Sequence, residues 1–117
     1  MRQGAAPRVG TIAVDANFSE FGDYLARMLD AIVRQWHLLA WDALQAGEVG
    51  TLVAVSFRID ANGTIHGLEV DHSTASLIAT LICKDAISSR EPYGPWTVDM
   101  REVLGEEQTI RIRFFYR

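Results

Sequence analysis

The stretch VAVSFRIDANGTIHGLEV, Val53 to Val70, decides how this chain folds. Val53, Val55, Phe57 and Ile59 alternate with Ala54, Ser56 and Arg58, the period of two that sets one face of a strand on a core and the other in water. Asp60-Ala61-Asn62-Gly63 then has two readings, the opening of a cation-binding loop or a turn. A calcium loop needs spaced oxygen ligands closed by a bidentate glutamate, and here Thr64-Ile65-His66-Gly67-Leu68 follows, so the ligands run out. Asn-Gly between alternating apolar runs is instead a strong hairpin signal, since both residues tolerate the positive φ of a two-residue turn. On the return run Leu68 and Val70 are in phase, Ile65 is not, and Gly67 lies between, which predicts a bulge.

Upstream, the residues from Asn17 to Gln45 read as a long helix. Asn17 and Glu20 have the spacing of a capping pair, and Phe21, Leu25, Met28, Ile32, Trp36 and Leu39 step by three or four along one face. Asp23, Arg27, Asp30 and Arg34 face away; the helix is expected to fray or kink between Ala40 and Ala46 and to end at Gly47 and Gly50. Ahead of it, Val9 to Val14 is a short β-branched run that reads as a strand despite Gly10. Downstream, Ser73 to Ser89 reads as a second helix capped by Ser73 or Thr74, with Leu77, Ile78, Leu81, Ile82, Ala86 and Ile87 apolar. REPYGPWTVDM, with Pro92 and Pro95, reads as an ordered loop, and QTIRIRFFYR closes the chain as a third strand.

These elements predict an α+β fold in which two helices pack on one face of a small three-stranded antiparallel-type sheet. The chain order is α-β-β-α-β and the spatial order 2-1-3, with an extra N-terminal strand available at Val9 to Val14. Residues 1–16 form a leader and 17–117 the domain. At 117 residues, 49% hydrophobic and 22% charged, the chain supports one core. A net charge of −4 argues against a general nucleic-acid or anionic-membrane binder. Cys83 is the one cysteine, which excludes an internal disulfide and leaves the redox compartment open. No apolar run approaches the roughly 20 residues of a membrane span. MRQGAAPRVG reads as a linker after which a domain was cut from a longer protein, or as a native start.

A search for chemistry finds no catalytic constellation. His37, His66 and His72 lack the spacing of metal ligands, so no metal or cofactor is expected. Cys83 sits in an apolar helical run as a small hydrophobe, and Ser73 and Ser76 lack the glycine-flanked elbow of a nucleophile. Glu106 with Glu107 and Glu69 with Asp71 read as solvated pairs. Arg58, Arg111 and Arg113 read as the wet side of the sheet or as a weak anionic docking surface. Tyr93 and Trp96 are either a lid over the core or a secondary recognition patch. What is left is an edge. Strand three, Thr109, Ile110, Arg111, Ile112, Arg113, Phe114, Phe115 and Tyr116, is expected to offer unpaired backbone to an extended partner, unless Val9 to Val14, a neighbouring chain or the alternating arginines blunt it. A proline at Ile112 should then abolish binding, and Arg111→Ala only weaken it.

The order of four stretches resembles the C-terminal domain family of TonB and TolA, cell-envelope proteins of Gram-negative bacteria. They are the helix YLARMLDAIVRQWH, the hairpin VAVSFRIDANGTIHGLEVDHS with its Asp-x-x-Gly turn, the segment ATLICKDAISSREPYGPW, and the terminal TIRIRFFY. The resemblance covers roughly Phe18 to Tyr116. The Tyr-Pro pair usual in TonB before the first strand is absent, and DHSTASLIATL lacks the Ser-Gly usual after the second, which is closer to a TolA-like or divergent subgroup. The resemblance implies a periplasmic, non-catalytic energy-transduction domain carried by an inner-membrane anchor upstream of this chain. It would bind an outer-membrane transporter or a lipoprotein through the last strand, leave room for a homodimer or strand swap, and convey force for transport. If Met1 is the native start, the expected location is cytoplasmic. The alternative from a different class is a small-molecule binding domain with an internal pocket beneath Trp96 and Tyr93.

Overall fold

In the computed structural model, which describes residues 9–16, 18, 21–43 and 48–117, the hairpin forms where the alternation places it. Along the chain run β1 (Gly10–Asp15), α1 (Gly22–Ala43), β2 (Leu52–Asp60), β3 (Ile65–Ser73), α2 (Leu77–Ser88), α3 (Val98–Leu104) and β4 (Glu107–Tyr116). Val53, Val55, Phe57 and Ile59 are all buried, as their period requires. The pairing of β2 with β3 slips between Ser56 and Arg58, where Gly67 takes φ of +62°, and again between Ala54 and Val55. The first slip is the predicted bulge, and it lets Ile65, Leu68 and Val70 all pack against the core.

The turn differs from the two-residue form. Gly63 N donates to Asp60 O (2.9 Å), Asp60 N donates to Thr64 O (3.0 Å), and Gly63 (φ +81°) alone in the loop takes a positive φ. Ala61, Asn62 and Gly63 are therefore a three-residue loop, a type I turn completed by a left-handed glycine. Asp60 explains why. Its Oδ1 accepts the amides of Asn62 (2.9 Å) and Thr64 (3.0 Å), and its Oδ2 meets His66 Nε2 at 2.6 Å. The carboxylate that would open a metal loop is spent on the turn.

On α1 the buried positions are Tyr24, Met28, Ile32, Trp36 and Ala40, with Leu25, Leu29 and Leu39 packed beside them. A step of four on a 3.6-residue helix lets the stripe wind around the axis and stay against the twisted sheet. The capping pair Asn17 and Glu20, and Gly47, lie outside the described residues. α2 is capped not by Ser73 or Thr74 but by Ser76, whose side chain accepts Ala79 N at 3.1 Å. Ser73 ends β3, and Thr74 Oγ1 accepts Leu52 N (2.9 Å), so both are committed to the sheet side.

The segment expected to be wholly loop contains α3. Pro92 and Pro95 keep residues 91–97 irregular, and then Thr97 accepts Met100 N at 3.1 Å and starts a helix that buries Met100 and Leu104 one turn apart. The sheet has four strands in the order β1-β4-β2-β3, every neighbouring pair antiparallel. The predicted order of the three later strands stands within it. The count does not: the N-terminal run is a fourth strand, from Gly10 to Asp15, and it lies on β4.

Candidate functional site

β4 is the strand on which the expected function rests. Its inward residues Ile110, Ile112, Phe114 and Tyr116 are buried. Trp36 stands edge-on to Phe114 (5.0 Å between ring centroids) and to Tyr116 (5.2 Å). The Tyr116 hydroxyl donates to Ala79 O (2.7 Å) and lies 3.4 Å from Cys83 Sγ, which ties the end of β4 to α2. Burial pushes the Cys83 thiol up to about 12 and the Tyr116 phenol well above its usual range, so both stay protonated and structural.

The outward residues are Thr109, Arg111, Arg113 and the partly buried Phe115. Arg113 and Arg117 lie over the Phe115 ring, 5.9 and 5.6 Å from its centroid. Arg58 pairs with Glu107 at 3.2 Å, Arg111 approaches Asp15 at 4.0 Å, and Ser56 Oγ donates to Asp71 (3.0 Å) on the same face. The arginines are thus matched by acids and by Phe115, which favours a solvated, self-neutralised face over an anionic docking surface.

β4 is not an edge. Unshifted pairs run from Gly10↔Tyr116 to Asp15↔Arg111 on one side and from Leu52↔Phe115 to Asp60↔Glu107 on the other. Tyr116 N donates to Thr51 O (3.0 Å), while Arg117 N donates to Val9 O (2.9 Å). Because successive amides of a strand point to opposite sides, the amides of Arg111, Arg113, Phe115 and Arg117 face β1, and those of Ile110, Ile112, Phe114 and Tyr116 face β2. The backbone available to a partner therefore belongs to the outward-facing residues. Ile112 is a misplaced probe: its amide belongs to the β2 ladder and its side chain to the core, so proline there would break the fold.

Gly10, which weakened the strand reading in the sequence, is what the pairing needs. A Cβ there would sit 1.9 Å from Phe115 O and 2.9 Å from the Trp36 ring. Nothing in a single sequence marks such a glycine, because the obstructing atoms lie more than 20 residues away.

Tyr93 and Trp96 act as a lid. Trp96 is 4% exposed, packs edge-on against Phe18 (5.9 Å), and its amide donates to Ala61 O (2.8 Å). Tyr93 N donates to Gly63 O (2.9 Å), the Tyr93 hydroxyl donates to Ile87 O, and burial raises its phenol pKa. The loop thus clasps the hairpin tip, with Tyr24 donating to Gly94 O (2.7 Å) from the helix side. Phe18 fills the space against the Trp96 ring. The cleft at Tyr93 is an open groove of about 410 Å³ along Arg27, Met28 and Ala31 of α1.

His66 serves the turn, His37 lies beside the Trp36 ring (5.4 Å), and His72 is exposed on β3. Among the described residues no group of three or more His, Cys, Asp or Glu side chains is placed to hold a metal ion, and no helix is long and apolar enough to cross a membrane. No protein-family model matches the chain, and neither a curated protein nor a solved structure does. The likeness to TonB and TolA rests on the order of the sequence motifs alone.

Proposed function

We propose that this chain is a non-catalytic protein-interaction module of the cell envelope that binds an extended partner segment by strand addition on β4. The observation that carries the reading is the asymmetry of β4. Among the described residues it pairs on one side with all nine residues of β2, and on the other with the six-residue β1. A partner strand beside β4 would gain a full ladder of backbone bonds and the apolar rim formed by Ile12 and Val14 today. The envelope location, the upstream inner-membrane anchor and the conveyance of force to an outer-membrane transporter or lipoprotein belong to the same proposal and rest on the motif resemblance.

Peptides selected from a random displayed library against the full chain test the binding mode. Binders should be extended and should shift the amides of Arg111, Arg113, Phe115 and Arg117. Arg113→Pro removes one amide from the β1 side while sparing the β2 ladder, and should weaken them at least about tenfold. Binders indifferent to Arg113→Pro that shift only α1 and α2 would end the proposal. The envelope part is tested separately by the native gene upstream of the codon for Arg2, where an apolar segment of about 20 residues followed by a proline-rich or charged spacer is expected.

A further inference from the structure

We infer that β1 is an internal stand-in for the partner strand, and that its register on β4 specifies the partner: an extended protein segment, antiparallel to β4, with the pattern glycine, polar, apolar, small, apolar, acid. This rests on the strand-addition reading and goes further, naming the slot, its present occupant and the chemistry of what replaces it.

Each position of the pattern follows from what it faces. The residue opposite Tyr116 is Gly10, where any side chain would strike Phe115 O at 1.9 Å. Opposite Phe114 and Ile112 stand Ile12 and Val14, partly buried against the core, where β-branched apolar side chains fit a pleated surface. Thr11 and Ala13, opposite Phe115 and Arg113, are the small or polar positions of the outer face. Asp15 lies opposite Arg111, with its carboxylate 4.0 Å from the guanidinium, so the last position favours an acid.

β1 is also held in the way a replaceable strand must be. Of its six residues only Gly10 is fully buried, in contrast to the alternate complete burial along β2 and β4. Its attachment is the backbone ladder to β4, with the partial packing of Ile12 and Val14 and a side-chain bond, Arg117 Nε donating to Thr11 Oγ1 (3.0 Å), all of which an extended segment of the same pattern reproduces. The opposite edge of the sheet is a poor competitor. β3 carries two register shifts and the exposed side chains His66, Glu69, Asp71 and His72, and bulges and charges blunt an edge. While β1 is tethered its high effective concentration keeps the slot closed, so partner affinity is scaled by the fraction of chains in which β1 has left.

The test uses the full chain, isotope-labelled, and the blocked octapeptide Val-Gly-Thr-Ile-Ala-Val-Asp-Ala, whose sequence is that of Val9 to Ala16. Gly10→Val should expel the tethered β1 and leave the slot open. The octapeptide should then bind the variant at least about tenfold more tightly than the wild type, as expected when the competent state is no longer rare. The shifts should fall on the amides of Arg111, Arg113, Phe115 and Arg117 and spare those of Ile112 and Phe114. A second octapeptide with valine in place of its glycine should bind at least about tenfold more weakly. Equal affinity for wild type and variant overturns the inference, as does a dimer formed by exchange of β1. Shifts confined to Ile65–Ser73 overturn it while leaving strand addition standing at the other edge, and shifts confined to the helices overturn both. Should Gly10→Val fail to fold, hydrogen exchange on the wild type decides. The amides of Arg113 and Phe115 should exchange at least about tenfold faster than those of Ile112 and Phe114, and equal rates refute the proposal.

Discussion

Gly63 is a residue at which two separate requirements meet. Its φ of +81° lies where L side chains are strained, and a Cβ would come within 2.4 Å of Gly94 O in the loop that covers the hairpin. Gly63→Ala is therefore expected to lower stability by about 1–3 kcal/mol in urea denaturation, beyond the roughly 1 kcal/mol of the left-handed conformation alone. A loss below about 0.5 kcal/mol would mean that the loop gives way instead. The first requirement was legible in Asn-Gly; the second came only when residues 91–96 were seen across the tip. Asp60, three residues earlier, makes a pH-dependent contribution. The hydrogen bond with His66, the largest cause, holds its carboxyl below the usual range with help from the amides of Thr64 and Asn62, against an opposing effect of burial that is larger than either amide's. A lowered carboxyl stabilises the fold above its unfolded pKa of about 4, and the stabilisation is lost as pH falls through the folded value. The stability difference between wild type and Asp60→Asn should thus be present at pH 6 and shrink as the medium is acidified below about pH 4. A difference constant across that window would assign Asp60 a purely steric role.

At the scale of elements, caps decide where helices begin. Ser76 and Thr97 each satisfy an amide three residues on, at 3.1 Å, and replacing either by alanine should cost about 1 kcal/mol in chemical denaturation. Replacement of Thr74 should act instead through the bond it accepts from Leu52, loosening the start of β2. If Thr97→Ala proved neutral, α3 would be held by Met100 and Leu104 alone. The misassigned cap of α2 shows why a single sequence falls short. Ser73, Thr74 and Ser76 are chemically equivalent capping residues, and the choice belongs to the sheet, because β3 extends to Ser73 before the chain can turn. α3 was hidden by the prolines before it, although Thr97 and the four-residue step from Met100 to Leu104 were visible signals. The bulge at Gly67 was legible because an out-of-phase Ile65 beside a glycine leaves few ways to keep every apolar side chain inside.

For the whole molecule, Trp36 is the hub. It is fully buried, touches Phe114 and Tyr116 of the last strand, and reaches the place where a side chain on Gly10 would sit. Trp36→Ala should cost about 3–5 kcal/mol, read as a shift in the urea midpoint, and should loosen β1 more than the β2–β3 hairpin. A loss near 1 kcal/mol would mean that the core collapses into the space left behind. The candidate site divides in the same way. The alternation that fills β4 was plain in TIRIRFFY, and so were the residues that face water. Whether that strand lay at an edge was not, because an edge is defined by the absence of a neighbour, and the neighbour came from a short run with a glycine in it.

Local pattern by itself determined the hairpin, the long helix, the apolar helix after it, the final strand and the order in which the last three strands lie. All of these follow from period, turn chemistry and the need to bury one face, which act over a few residues at a time. Only the tertiary structure decided that β1 closes β4, that Ser76 caps α2, that α3 forms, and that Asp60 is committed to its own turn. Each of these depends on atoms distant along the chain competing for one backbone group or one small volume, and such competition is settled only when the elements are packed together.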